Sequence, residues 1–187
     1  MKKITLAMHV SLDGFVAGPN GEMNWIKFDN DLFEFVGTIA AEADTALYGR
    51  VTWEMMDNYW PEAGNKSNAS KHDKDHSKWY NTVHKVVLSK TMQGKQADKT
   101  TFIGDNIPEE INKIKQQPGK DILMLGSPSA AHTLMEHNLI DEYWLFINPI
   151  ILGEGIPMFA GKDKITLNPL PPRSFQCGVT ALSYTLR

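Results

Sequence analysis

Residues 121–153, DILMLGSPSAAHTLMEHNLIDEYWLFINPIILG, restrict the fold of this chain more than any other stretch, because they read as strand, glycine turn, helix and strand with almost no residues to spare. Ile122, Leu123, Met124 and Leu125 form a continuous apolar run, which suits a strand buried on both faces. The chain then turns at Gly126. Ser127 is a good helix N-cap, Pro128 fits the first helical position because its missing N–H has no partner there anyway, and Asn138 can close the helix in the left-handed conformation. A helix N-terminus thus opens directly off a buried strand, and free N–H groups and the positive end of the helix dipole make that point a ready place for a phosphate or diphosphate. An ordinary crossover whose glycine only makes the turn gives the same pattern.

The arrangement occurs twice. DTALY, residues 44–48, reads as a strand, and Gly49, Arg50, Val51, Thr52, Trp53 and Glu54 open a second helix behind it. Two such junctions in one sheet form a two-ended cradle for a molecule with several phosphates, and Arg50 adds a fixed charge with a forked donor. HKVVLSK, residues 84–90, is a further strand ending in Ser89 and Lys90. That hydroxyl and ammonium either hold a phosphate or are simply solvated.

Elsewhere the elements follow in order. ITLAMHV, residues 4–10, is a first strand, and SLDGFVAGPNGEMNW after it is a glycine-rich loop. Phe15, Val16, Met23 and Trp25 are poor choices for a solvated loop, so they pack on the core or cover something bound there. Leu32, Phe33, Phe35, Val36, Ile39, Ala40 and Ala43 recur at helical spacing, with Asn30 as the cap and Asp31 and Glu34 in the first turn. Residues 61–78 are polar and aperiodic and read as a long surface loop; His72 and His76 lie four apart within it, but nothing else there would fix a metal's geometry. Thr101–Gly104 is a short strand, and a helix starting at Pro108 ends before Pro118 and Gly119. Alternation of strand and helix to about residue 148 predicts an α/β fold, a mostly parallel central sheet flanked by helices. KITLNPL and SFQCGVTALSYTLR have no helix between them and predict a C-terminal antiparallel hairpin.

A chain of 187 residues suits a single domain spanning residues 1–187. The formal net charge of −3, without a basic cluster, gives no reason to expect nucleic acid. Cys177 is the only cysteine, which excludes an internal disulfide and any zinc site built on several thiolates. Lys2 and Lys3 before an apolar run resemble the start of a secretory signal, but His9, Ser11 and Asp13 interrupt it, and no run reaches the roughly 18 apolar residues of a membrane span. A cytoplasmic protein with no membrane partner is expected, its Asn68 sequon unglycosylated.

SLDG at 11–14, LYGRVTWE at 47–54, VVLSK at 86–90, LGS at 125–127 and LIDEYWLFINPIILGEG at 139–155 together resemble the dihydrofolate reductase superfold. The resemblance is closer to its branch related to the C-terminal reductase domain of bacterial riboflavin biosynthesis, and covers nearly the whole chain. It implies NADPH as cofactor. Gly49, Arg50 and Thr52 would hold its phosphates from one helix terminus and Gly126, Ser127 and Ser129 from the other. Leu88 lies on the strand that ends in serine, and Arg50, Ser89 and Lys90 would face the 2′-phosphate, where NAD sites commonly place a carboxylate. Ala7, Val16 and Ala17 would lie by the nicotinamide.

On the substrate side the resemblance implies an acid with an aromatic residue one turn later; Asp31, as proton donor, and Phe35 fall near those places. Trp25-Ile26 stands where those enzymes have Trp-Pro. Asp13 of SLDG is a substrate residue, a loop-ordering residue, or a cap of its own turn. The implied activity is hydride transfer from NADPH, as in 5-amino-6-(5-phosphoribosylamino)uracil reductase. The alternatives are reduction of another pterin-like or carbonyl compound, or nucleotide binding without catalysis. No deaminase site accompanies it, since that needs two cysteines beside a histidine. The apolar faces of Tyr143, Trp144, Phe146 and Ile147 are covered either by helices or by a second subunit, as in the dimers of the riboflavin branch, and a homodimer is expected.

Overall fold

Strand β1 (Ile4–Ser11) is central to the sheet because nearly all its side chains, on both faces, are buried. The computed structural model describes residues 1–159 and 164–187; of the span read as one domain, residues 160–163 lie outside the described residues. The elements that follow are β2 (Phe15–Ala17), α1 (Asn30–Ala41), β3 (Ala43–Gly49), α2 (Arg50–Ala63), α3 (Lys71–Thr82), β4 (His84–Leu88), β5 (Thr100–Ile103), α4 (Ile107–Gln116) and β6 (Asp121–Leu125). After them come α5 (Pro128–Glu136), β7 (Glu142–Asn148), β8 (Ile156–Pro157), β9 (Leu167–Pro169), β10 (Arg173–Ser174) and β11 (Thr180–Leu186).

The main sheet runs β10-β11-β7-β1-β6-β3-β4-β5, with β9 also on β11. From β7 to β5 every neighbouring pair is parallel, whereas β11 is antiparallel to β7, β9 and β10. The fold is therefore the α/β architecture expected, a mostly parallel central sheet flanked by helices, and its C-terminal hairpin is refined: β11 inserts beside β7 and folds back on short strands. A separate pair, β2 with β8, ties the first loop to residues 156–157.

Alternation along β1 assigns the two faces. Leu6, Met8 and Val10 pack with Ile111 of α4 and Leu134 of α5. Ala7 faces the other way, in a core that includes Leu32 and Ala40 of α1, while Ala46, Tyr48 and Val87 meet Trp53 of α2 and Tyr80 of α3. Two helices thus cover one face and three the other. Burying each large aliphatic side chain contributes roughly 2 kcal/mol.

Two sequence expectations need correction. Much of the expected surface loop at 61–78 belongs to helices, since α2 runs to Ala63 and α3 starts at Lys71. A capping box starts α3: the Asp73 N–H donates to Ser70 Oγ and the Asp73 carboxylate accepts from the Ser70 N–H. Its buried side chains are His76, Ser77 and Tyr80, so no aliphatic stripe marks it. The cap of α1 is Asp29, which accepts from Leu32 N–H at 2.8 Å and also from Cys177 N–H, not Asn30. Strand β7 has β1 and β11 on its edges, and Phe35 of α1 packs against its Trp144 and Phe146.

Candidate active site

Parallel pairing of β3 with β6, Leu47 opposite Met124, brings Gly49 and Gly126 to the same edge of the sheet. There the Gly49 N–H donates to Ser127 Oγ at 2.7 Å, in a buried contact. Gly126 (φ +75°) and Ser127 (φ +67°) are successive left-handed residues, a conformation that glycine adopts freely and serine does not. Because Ser127 Oγ is committed to Gly49, it does not cap α5, and Gly49 has no side chain with which to cap α2. Two helix N-termini therefore present first-turn N–H groups, with no N-cap side chain on them, at one place. Asn106 leaves α4 without a side-chain cap too, but α4 contributes nothing to this site.

These junctions form one end of a cavity of about 820 Å³. Ala7, Val16, Ala17, Gly49, Arg50, Thr52, Leu88, Gly126, Ser127 and Ser129 all line it, so the structure brings together most of the residues assigned to cofactor binding. Ser89 and Lys90 stand just past Leu88 and are not in the lining. Ser89 Oγ lies 3.2 Å from Thr91 Oγ1, and Lys90 is exposed. Arg50 donates to Glu54 at 2.8 Å one turn along α2, with both side chains nearly half exposed.

The residues expected on the substrate side lie elsewhere. Asp31 is paired with Arg173 at 2.6 Å on an exposed surface, and the Arg173 guanidinium lies 4.7 Å over the ring of Phe35. Both therefore face the C-terminal strands. One residue along a helix rotates a side chain by roughly 100°, and the stripe of α1 that reaches the cavity is Leu32, Phe33 and Val36. Trp25 donates to the Glu22 carbonyl at 3.0 Å and is outside the lining, although Met23 is in it. Asp13 orders loops: it accepts from Ser11 Oγ, Leu152 N–H and Gly153 N–H, and these hydrogen bonds, that of Ser11 foremost, hold its carboxyl down to about 2.

What lines the second end instead is aromatic and apolar, with Phe28, Phe33, Met56, Trp60 and three histidines, His9, His72 and His76. Burial pushes His9 down to about 4 and His76 to about 3, so both rings are neutral at physiological pH. His76 packs 4.1 Å from Trp60, and its buried Nε2 has no hydrogen-bond partner among the described residues. His72 stacks on Phe33 at 4.0 Å. Among the described residues no group of three or more histidine, cysteine and acidic side chains is placed to hold a metal, and no helix is long and apolar enough to cross a membrane. His9 could have been found from the sequence, since it lies two positions after Ala7 and shares its face of β1; His72 and His76 could not without α3.

A mostly parallel sheet with two helix N-termini meeting at its carboxyl edge defines an α/β class of fold, and the chain's relatives specify it. The family model for the RibD C-terminal domain matches residues 2–180, and the chain belongs to that family. It is 38% identical over 186 residues to the uncharacterized protein YyaP of Bacillus subtilis (strain 168), covering 98% of this chain and 94% of that one. It is 26% identical over 163 residues to YwjB of the same organism, also uncharacterized, covering 84% and 83%. Among solved structures, a putative riboflavin biosynthesis protein from Shewanella sp. PV-4 has the same fold, with TM-score 0.76, 20% identity, and coverage of 100% of this chain and 99% of that one. The Thermotoga maritima diaminohydroxyphosphoribosylaminopyrimidine deaminase/5-amino-6-(5-phosphoribosylamino)uracil reductase matches with TM-score 0.70 and 14% identity; this chain, wholly covered, spans 57% of it.

Proposed function

We propose that the protein is an NADPH-dependent reductase. The observation that carries this reading is the convergence of two helix mouths, free of N-cap side chains and bridged through Gly49 and Ser127, on one cavity that Arg50 also lines. Those donors fit a dinucleotide: N–H groups at Arg50–Thr52 and at Ser129 would take the phosphates, and Ala7, Val16 and Ala17 an apolar ring. NADPH, when bound, supplies the hydride; the chain supplies position and exclusion of water. The test is titration with NADPH and NADH, read by thermal stability and by NADPH fluorescence. NADPH should bind the more tightly, and Arg50→Ala should weaken it; unchanged affinity in that variant would remove Arg50 from the site.

For the substrate, the lining favours a carbonyl or pterin-like compound over a phosphoribosylamino-pyrimidine. Arg50 is the only lysine, arginine or carboxylate residue among the described residues of the cavity wall, and it stands at the helix mouth. Turnover of NADPH with each substrate class separates the two. A homodimer belongs to the same reading, supported by Leu12 and Ile151, exposed large apolar residues on neighbouring loops joined by the Leu12 N–H to Ile150 carbonyl bond; light scattering tests it.

A further inference from the structure

We propose that the end of the cavity under α1 and α3 binds a flat, uncharged aromatic molecule whose hydrogen-bond acceptor, a carbonyl oxygen above all, sits against the Nε2–H of His9. The assignment rests on reading the other end as the dinucleotide site.

The tautomer of His9 follows from three hydrogen bonds. The backbone N–H of Lys27 can only donate, and it meets Asn148 Oδ1 at 2.9 Å, which fixes the direction of that fully buried amide. Asn148 Nδ2 then faces the Phe146 carbonyl at 3.0 Å and His9 Nδ1 at 3.2 Å. Since Nδ2 only donates, Nδ1 must accept, and the ring proton resides on Nε2. Protonating Nδ1 as well would set its N–H against the amide N–H, so the network favours the neutral ring, in the same sense as burial does. The ring lies between Phe146, stacked at 5.1 Å, and Phe28, edge-on at 5.1 Å, and no hydrogen bond reaches Nε2 from the described residues. A ring held neutral in this way offers Nε2–H as a donor at neutral pH without carrying a charge, which suits a carbonyl oxygen.

The surroundings settle the rest of the ligand. Phe28 and Phe33 stack at 5.0 Å and Phe33 and His72 at 4.0 Å, with interplanar angles of 13° and 16°. Rings so arranged, with Trp60 edge-on to His72, present faces and edges to another flat ring. A carboxylate or phosphate entering here would lose its hydration without meeting a cation among the described residues of the lining. His76 also lines this end, with its Nε2 buried and without a hydrogen-bond partner among the described residues.

Three probes with one ring system test this: 1-acetonaphthone, 1-naphthoate and 1-ethylnaphthalene, titrated into the whole protein with tryptophan fluorescence as the readout, with and without NADPH. The ketone should bind about tenfold more tightly than either of the others, the worth of one well-made hydrogen bond. His9→Phe keeps the stacking on Phe146 and Phe28, and should erase the preference for ketone over ethylnaphthalene while NADPH affinity stays within about twofold. Should that variant fold poorly, nitrogen-15 spectra of the unmodified protein decide: the Nε2–H tautomer, with its signal moved by the ketone, supports the assignment, and an Nδ1–H tautomer overturns it. Naphthoate binding as tightly as the ketone also overturns it. NADPH binding without ketone selectivity removes this proposal and leaves the cofactor reading standing; ketone selectivity without NADPH binding does the reverse.

Discussion

The backbone N–H of Gly49 donates to the hydroxyl of Ser127 at 2.7 Å, so the turns after β3 and β6 form one unit although 78 residues separate them. Removing that acceptor tests the unit. Ser127→Ala leaves a buried N–H unpaired, a loss of about 1–3 kcal/mol by urea denaturation, and it should weaken NADPH binding as well. An unchanged denaturation midpoint would mean that the two turns stand independently.

The two glycines at these turns should behave differently. Gly126 has φ +75°, and a Cβ added there would have as its nearest neighbour Thr52 Cγ2 at 3.5 Å, so Gly126→Ala suffers from conformation and not from crowding, by about 1 kcal/mol. Gly49 has an ordinary φ of −84°, and its added Cβ would meet Ala130 and Ser127 at 3.5 Å. Gly49→Ala should therefore cost within about 0.5 kcal/mol by the same measurement. Equal losses would contradict the assignment of conformational strain to Gly126 alone.

These turns are legible in the sequence because each is local: an apolar run, a glycine and a helix start are contiguous, and strand alternation then implies that both open on one edge. The substrate end is assembled from distant pieces. Phe33 reaches it while Phe35 does not because of the rotation of α1, which the even apolar spacing of residues 32–43 leaves undetermined. His72 and His76 arrive on α3, whose buried side carries a histidine, a serine and a tyrosine where a hydrophobic stripe would have announced a helix. Asp13 offers only its chemistry in the sequence, and its partners at 152 and 153 are tertiary neighbours.

Asp31 illustrates what that rotation does to function. Its carboxylate pairs with Arg173 on the surface, with side chains 52% and 46% exposed, and such pairs contribute about 0–1 kcal/mol. Asp31→Asn should change stability by no more than that and leave NADPH turnover within about twofold, since nothing places Asp31 against the cavity. A large fall in turnover with unchanged NADPH affinity would return the acid to the reaction.

Asp13 joins the first loop to residues 152–153, and its hydrogen bonds are made by the carboxylate. A depressed folded-state value means that its contribution is present above the ordinary value of 3.8 and is lost as pH falls toward about 2. The amide proton shift of Gly153 should accordingly titrate with a midpoint near 2. A midpoint at the ordinary aspartate value would show that the loop tie is not made in solution.

His76 sets stability against function. Its ring is buried against Trp60 and Trp79 with Nε2 unpaired, so the folded state carries a desolvation penalty that an apolar ring would avoid. His76→Phe should stabilise the protein by about 1 kcal/mol at neutral pH. Acid enlarges the difference. The folded-state value of about 3 lies below the ordinary 6.5, so between the two the unfolded chain binds the proton and the native ring does not. Stability therefore falls with pH through that window, with a slope of up to about 1.4 kcal/mol per pH unit for this one proton. His9, down to about 4, adds a slope of the same sign over a narrower range. Urea denaturation of the unmodified protein and of His76→Phe at pH values spanning this window should give a shallower decline in the variant, with the share due to His9 remaining. Parallel curves would show that Nε2 of His76 finds a partner in solution.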